Sequence, residues 1–381
     1  MPDNARADLE DWLRLLLTPG VGPVMGRRLL ERFGTPTAAL AASPDEWRAL
    51  GLSDDVALAL AESRSAERSA ENAARQMAAL ARSGGRAITL ADDDYPALLR
   101  EIHGAPLLLF VKGDWAESLA QPCIAVVGSR ACSTYGRNAA AKLARDLAAA
   151  GMTIVSGLAR GIDAAAHEAA LEAQGRTIAV LGAGLDDMYP KENAKLAERI
   201  AESGALATEF PFEKPPTPRN FPYRNRVIAG LCLGVLVVEA AERSGSLITA
   251  RLALEQGREV FAVPGNITSG KSAGANRLIQ DGAKLVMDWR DVAEEFSYEL
   301  RRRLRQGQSP PTPAQRPLPL ELTEDERALL ALVGFDQPIH VDALAMQSGL
   351  GQSRVLAALL SLTLNGALRE LPGKRYARVL R

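Results

Sequence analysis

The sequence predicts an α/β chain built around a parallel sheet, with an all-α unit before it and a small mixed unit behind it. Three observations predict this. Between about residues 85 and 300, short apolar runs rich in β-branched residues alternate with helical stretches, the pattern of repeated β–α–β units. Residues 8–80 are rich in Ala, Leu, Arg and Glu at helical spacing. Residues 306–319 are so proline-rich that they can hold neither a helix nor a central strand. The expected division is a helical domain at 1–82, a sheet domain at 83–304, a semi-extended linker at 305–319 and a last domain at 320–381.

In the first domain, Leu17-Thr-Pro-Gly-Val-Gly-Pro-Val-Met-Gly-Arg-Arg-Leu-Leu30 reads as a helix-hairpin-helix. Gly20-Val21-Gly22 forms the hairpin, whose amides can face a phosphate, and Arg27 and Arg28 lie on the next helix. The same stretch reads equally as a packing or interaction module. In the sheet domain the expected strands are Ile124–Val127, Thr153–Val155, Thr177–Leu181, Ala205–Glu209, Val235–Val238, Glu259–Val263 and Lys284–Met287. Most are continuous apolar runs, as strands buried on both faces require. Helices are expected at Asn138–Ala150, Ala164–Ala173, Glu192–Glu202 and Leu247–Glu255, giving a Rossmann-like sheet covered on both sides. The last domain reads as helices Thr323–Val333, Val341–Ser348 and Ser353–Asn365, then a β-wing over Ala367–Val379 turning at Pro372-Gly373. That is a winged helix. Its recognition helix is apolar, with Arg354 its one strong base, while Lys374, Arg375 and Arg378 sit on the wing.

Composition narrows the function. The chain has 381 residues, 47% hydrophobic and 24% charged, with net charge -1 and a pI of about 6.4. A protein that coats nucleic acid by bulk charge is basic, so a nucleic-acid site here must be a local concentration of Arg and Lys. Cys123, Cys132 and Cys232 make no Cys-x-x-Cys pair, and the three histidines are far apart, so no metal or other cofactor is expected. A polar, acidic N-terminus and the lack of a long apolar run point to a cytoplasmic protein with no membrane contact.

Ligands of open α/β sheets sit beyond the carboxyl ends of the strands, and those ends are unusual here. The first strand runs into Gly128-Ser129-Arg130 and a helix start, which offer close backbone approach, free amides and a guanidinium fork for an anion. The second runs into Ser156-Gly157-Leu-Ala-Arg160-Gly161-Ile-Asp163. Asp163 is expected to cap the following helix, and His167, one turn on, to be structural. Gly182-Ala-Gly184 relaxes the third strand end. A proline-rich loop follows the fourth, Glu239 and then Ser244-Gly245-Ser246 follow the fifth, and a Gly/Ser loop with Lys271 follows the sixth. The pattern is neither Gly-x-Gly-x-x-Gly nor a Walker A loop. It describes an anion-binding crest.

The proline-rich loop delivers Arg219 and then Phe221-Pro-Tyr-Arg-Asn-Arg-Val227, two rings and two guanidinium groups within six residues. Aromatic faces stack on unpaired bases and arginines hold phosphates, a pairing suited to single-stranded nucleic acid. Phe221 is the stacking candidate and Arg224, Asn225 and Arg226 the polar partners. Tyr223 reads equally as packing.

Ile124-Ala-Val-Val-Gly-Ser-Arg130, Val155-Ser-Gly-Leu-Ala-Arg-Gly-Ile-Asp163 with His167, Phe221–Gly230 and Ser244-Gly-Ser-Leu-Ile-Thr-Ala-Arg251 together resemble the DNA-processing family DprA, also called Smf. Gly257–Gly265 and Gly274–Ile279 extend the resemblance over most of the central domain. It implies a non-catalytic recombination mediator that binds single-stranded DNA, protects incoming strands and helps load RecA recombinase during natural transformation. It also implies a homodimer through the Rossmann-like domain, a sterile-alpha-motif-like first domain, and Arg130 and Phe221 as strand-binding positions. A lysine that some members carry before the aromatic is absent here, and Lys214 and Arg219 are the nearest bases. The competing reading is a nucleotide-binding or nucleoside-monophosphate-cleaving enzyme with Glu239 as its carboxylate, although the Pro-Gly-Gly-x-Gly-Thr signature of such enzymes is missing. A ligand-sensing winged-helix regulator is a third, disfavoured by the apolar recognition helix.

Overall fold

The computed structural model describes residues 3–306, 322–334 and 338–379. The chain opens with six helices, α1 (Asp3–Leu17), α2 (Pro23–Phe33), α3 (Pro36–Ala41), α4 (Pro44–Ala49), α5 (Asp54–Ser65) and α6 (Glu67–Ser83). Gly20 makes the α1–α2 turn at φ +82, and Pro23 opens α2 at a position where its missing N–H costs nothing. These helices do not stand apart. Their core, with Trp12, Leu29, Trp47 and Leu60, is continuous with Leu107, Leu108, Phe110, Leu196 and Ile200 of the sheet domain. Gly26 packs so tightly on Leu107 that a Cβ there would lie 2.2 Å from its Cδ1.

The sheet domain contains β1 (Arg86–Thr89), α7 (Ala97–Glu101), β2 (Leu108–Gly113), α8 (Trp115–Leu119), β3 (Cys123–Val127), α9 (Thr134–Ala149), β4 (Thr153–Ser156), α10 (Ile162–Glu172) and β5 (Thr177–Val180). It continues through α11 (Ala194–Ser203), β6 (Ala205–Thr208), α12 (Asn220–Gly230), β7 (Gly234–Val237), α13 (Gly245–Glu255), β8 (Glu259–Ala262), α14 (Ala273–Gln280), β9 (Lys284–Leu285), α15 (Trp289–Glu294) and α16 (Tyr298–Gln306). All seven expected strands are present. β1 and β2 add to them, pairing antiparallel along the β6 edge, and the expected list lacked both. β1 is four residues and half exposed, too short for periodicity to register.

The nine strands run β1-β2-β6-β5-β4-β3-β7-β8-β9. From β3 the chain winds one way to β6, then returns to β7 and winds the other way. The reversal lies between β3 and β7, which pair in parallel from Ile124↔Gly234 to Val127↔Val237. Strand alternation sorts the core into two layers. Ile124, Val126, Ile154 and Leu236 pack on α9, α10 and α15. Ala125, Val127, Val155 and Val235 pack on α12 and α13.

The last domain contains α17 (Glu324–Leu332), β10 (Ile339–His340), α18 (Val341–Ser348), α19 (Gln352–Leu364), β11 (Leu368–Leu371) and β12 (Arg375–Arg378). The sheet order β10-β12-β11 beside three helices is a winged helix around Leu329, Leu344, Leu359 and Tyr376. Gly366, at φ +67, lets the chain turn out of α19 into the wing. Residues 307–319 of the expected linker lie outside the described residues. No described helix is long and apolar enough to cross a membrane.

Candidate nucleic-acid interface

The strand reversal opens a crevice beyond β3 and β7, and a cavity of 740 Å³ fills it. Of the residues singled out in the sequence, Gly128, Ser129, Arg130, Phe221, Arg224, Asn225, Gly245 and Ser246 line it. Gly157, Arg160, Arg219, Arg226 and Lys271 do not.

On the β3 side, Ser129 N–H donates to the Glu239 carbonyl at 2.7 Å, tying the two strand ends together. Gly128 is required by packing rather than by a ligand, since a Cβ would lie 2.6 Å from Ile162 Cγ1. The Ser129 hydroxyl accepts from Ala131 N–H and supports the turn. Ser133 caps α9. Glu239, the carboxylate of the enzyme reading, is buried and holds that cap. Oε1 accepts from Ser133 N–H at 2.8 Å and Oε2 from the Ser133 hydroxyl. Opposite, Ser244 caps α13, with the Ser244 and Ser246 hydroxyls 2.8 Å apart, and Gly245 faces open space.

The aromatic-arginine segment is not a loop. Residues 220–226 are the first turns of α12, with Pro222 early enough to be tolerated. Asn220 anchors this start, its Nδ2 donating to the carbonyls of Gly182 and Pro215 at 2.9 and 3.0 Å. Helical spacing then sends the side chains different ways. Phe221 faces the cavity. Its ring lies 4.9 Å from the Arg130 guanidinium carbon and 5.8 Å from the Tyr189 ring. Gly182 makes room for it, because a Cβ would lie 3.0 Å from Phe221 Cδ1. Tyr223 points outward, 58% exposed.

Arg224 departs from the expectation of a surface phosphate partner. It is 4% exposed. Its Nη1 donates to the carbonyls of Gly157, at 2.6 Å, and Val180, and its Nε to Asn225 Oδ1. Gly157 is glycine for this arginine, since a Cβ would lie 2.2 Å from Nη1. Burial, reinforced by Arg130 and opposed by Asp163, pulls the Arg224 pKa down to about 10. Arg224 therefore forms a cationic floor beneath the cavity. Arg226 also departs from expectation. It is paired with Glu209 and largely buried, so the charge is neutralised.

Asp163 does not cap its helix. Gly161 holds that position, and Asp163 Oδ2 instead accepts from Gly157 and Ala159 N–H at 3.1 and 3.3 Å, shaping the loop. Burial raises its pKa, against the pull of Arg224 and those amides. His167 does not meet Asp163. Its Nδ1 lies 2.7 Å from Thr177 Oγ1, and burial drives its pKa down to about 3. Around the rim, Arg160 pairs with Glu192 in an exposed bridge, Arg219 is exposed, and Lys271 Nζ donates to the Ala131 carbonyl at 2.8 Å. The lining also holds residues that were not among the candidates, Asp163, Tyr189 and Ser244 among them. Tyr189 and Ser244 lie in loops already read as strand ends, and an aromatic in such a loop was the available signal.

Two of the bases that the sequence singled out in the flanking domains are engaged, while Lys374 and Arg375 of the wing are exposed. Arg27 donates to Glu31 and to the Arg100 carbonyl. Arg354 is paired with Asp325. Cys123 and Cys232 are buried and Cys132 half-buried, all three free. Among the described residues no cluster of His, Cys, Asp or Glu is arranged to hold a metal.

The family profile described as DNA recombination-mediator protein A matches residues 86–297, more than half of the chain. The chain belongs to the DprA family. Profiles for the DprA-like N-terminal helix-hairpin-helix domain and the DprA winged helix domain match residues 6–70 and 310–374. DNA processing protein DprA of Streptococcus pneumoniae is 51% identical over 210 residues, covering 55% of this chain and 74% of that protein. A crystal structure of DprA from the same species aligns with TM-score 0.65 and 39% identity over 76% of this chain and 98% of that one. A structure of DNA processing protein A from Helicobacter pylori, described for its single-stranded DNA binding mode, aligns with TM-score 0.50 and 31% identity over 55% of this chain and 95% of that one. The positions that the DprA resemblance singles out, Arg130 and Phe221, are in contact in one cavity.

Proposed function

We propose that the strand-end cavity binds single-stranded DNA and that the chain is a non-catalytic mediator that shields incoming strands and passes them to RecA recombinase in the cytoplasm during natural transformation. The observation that carries this reading is the stacked pair Arg130–Phe221, at 4.9 Å, opposite the start of α13 at Ser244–Ser246, where Gly245 faces open space. The ring offers a base platform and the guanidinium a phosphate partner, while the buried Arg224 beneath keeps the local potential positive despite a net charge of -1. Arg160, Arg219 and Lys271 extend the rim outward. Relatives described as DNA processing proteins support the reading.

A homodimer through the Rossmann-like domain is part of the proposal. It is supported by the sheet edge at β9, a two-residue strand beside the exposed Leu285 and Met287. The mononucleotide-cleaving alternative is weakened by Glu239, whose two carboxylate oxygens are both engaged by Ser133. The test is a filter-binding comparison of single-stranded DNA, duplex DNA and mononucleotides. Single strands should bind best, and affinity should fall by a log–log salt slope of about 0.7 per phosphate contacted. Preference for mononucleotides, or a flat salt dependence, would overturn the reading.

A further inference from the structure

A second basic cleft lies where the wing meets the sheet domain. Asn138 Nδ2 on α9 donates to the Arg378 carbonyl of β12 at 3.1 Å. The junction leaves two cavities, of 130 and 520 Å³. The smaller is lined by Ser133 and Thr134 at the start of α9, by Arg137 one turn on, and by Arg369 and Arg378 of the wing, with no carboxylate among its lining residues. The larger shares Arg137 and Arg369 and adds Arg145, Glu168 and Glu172. Arg145 is taken by Glu172 at 3.0 Å. Neither Arg137 nor Arg369 forms an ion pair among the described residues. Positive charge therefore collects at the end of the junction nearest the Gly128–Thr134 loop, opposed by Glu168 in the larger cavity and by Glu239 behind Ser133.

That loop joins the two sites. Residues 128–131 line the strand-end cavity and residues 132–134 line the cleft. Consecutive Cα atoms are about 3.8 Å apart, so a strand leaving the first cavity reaches the second within a nucleotide or two. Same-sign groups brought together across a domain junction repel unless an anion sits between them. The face by which winged helices read duplex DNA is unsuited to that task here. Arg354 is held by Asp325, and Leu356, Leu360 and Leu364 are exposed along α19.

We propose that the cleft between α9 and the wing is a second phosphate site for the same single strand, with Arg137 and Arg369 as its ligands. The wing then lengthens the footprint of the strand-end cavity instead of reading duplex. This rests on the reading of that cavity as a single-strand site.

The test uses the full chain, fluorescence anisotropy, and oligothymidylates of about six and about twenty nucleotides, short and long against the site sizes common for single-strand proteins. In the double variant R137A/R369A, the short oligonucleotide should bind within about two-fold of the parent. The long one should weaken about ten-fold, with the salt slope smaller by about 1.4, or 0.7 for each lost phosphate contact. Lysine at both positions should restore most of the loss. An unchanged thermal midpoint would show that the fold is intact. Equal loss on both lengths, no loss on the long one, or a gain on it would overturn the proposal, the last by making the docked wing an obstacle. A parent that fails to bind the short oligonucleotide would instead overturn the strand-end reading itself, and this proposal with it.

Discussion

Replacing Phe221 by alanine is the sharpest test of the strand-end cavity. Alanine substitution of a base-stacking ring usually costs about 1–3 kcal/mol. Here the ring is not idle before the ligand arrives, because the Arg130 guanidinium lies over it at 4.9 Å, a contact worth about 0.5–1 kcal/mol at an exposed site. A base that stacks on that face displaces the guanidinium, so the net loss falls toward the low end, about 1–2 kcal/mol, or five- to thirty-fold in affinity. The same geometry predicts that F221A and R130A are not additive. The double variant should lose more than the sum by about 0.5–1 kcal/mol, because either single variant already removes the contact that binding must break. Anisotropy titration at fixed salt measures all four corners of the cycle, and thermal unfolding checks that losing the contacts to Gly182 and Tyr189 has not loosened the fold. Affinity of F221A within two-fold of the parent, or strict additivity with R130A, would refute the reasoning.

Other outcomes follow from the groups beneath the site. His167 is held neutral with its pKa lowered from 6.5 to about 3, so its contribution to stability is present above its unfolded pKa and lost as pH falls from about 6.5 toward 3. Between pH 6.5 and 4.5 this amounts to roughly 2 kcal/mol of unfolding free energy, and H167Q should lack that part of the slope; parallel urea-denaturation profiles for the two proteins would exclude it. G157A should destabilise the fold by about 2 kcal/mol or more by pushing Arg224 off its two carbonyls, and an unchanged urea midpoint would show that the arginine is not held there. A chain ending at residue 306 should bind a six-nucleotide strand as the full chain does, on the order of the smaller single-strand site sizes, and loss of that binding would move the primary site to the winged helix.

The strand ends were legible because backbone chemistry announces them. Gly128-Ser129-Arg130 and Ser244-Gly245-Ser246 each follow a continuous apolar run, and only the carboxyl edge of a parallel sheet joins two such turns. The fate of the arginines was not legible. Arg224 and Arg226 are two residues apart and chemically identical, yet one lies under the Gly157 loop and the other against Glu209. That difference comes from the helical turn they occupy, which the sequence disguises with Pro222 and a proline-rich approach. Asp163 shows the same limit. A helix start was correctly placed, but whether a carboxylate caps its own helix or reaches back to Gly157 and Ala159 depends on φ +78 at Gly161, a torsion with no signature beyond the glycine itself. The edge strand β1 was missed for its shortness, whereas β2, a continuous apolar run like the strands that were read, carried a signal that was passed over.

The continuous core between the six N-terminal helices and the sheet limits how this protein can be taken apart. A segment with its own profile match looks like a cassette that could be exchanged or dropped. Yet Leu107, Leu108 and Phe110 are fully buried in a core that α1–α6 share with α11 and Phe212. A chain beginning at residue 84 would carry that bare apolar face into water, and it should aggregate or sediment where the chain covering residues 1–306 does not. A soluble, monodisperse 84–306 fragment would contradict this. The unit of inheritance here is then larger than the unit of sequence matching. Changes along the α2–Leu107 seam, with Gly26 at its closest point, would have to arise in pairs.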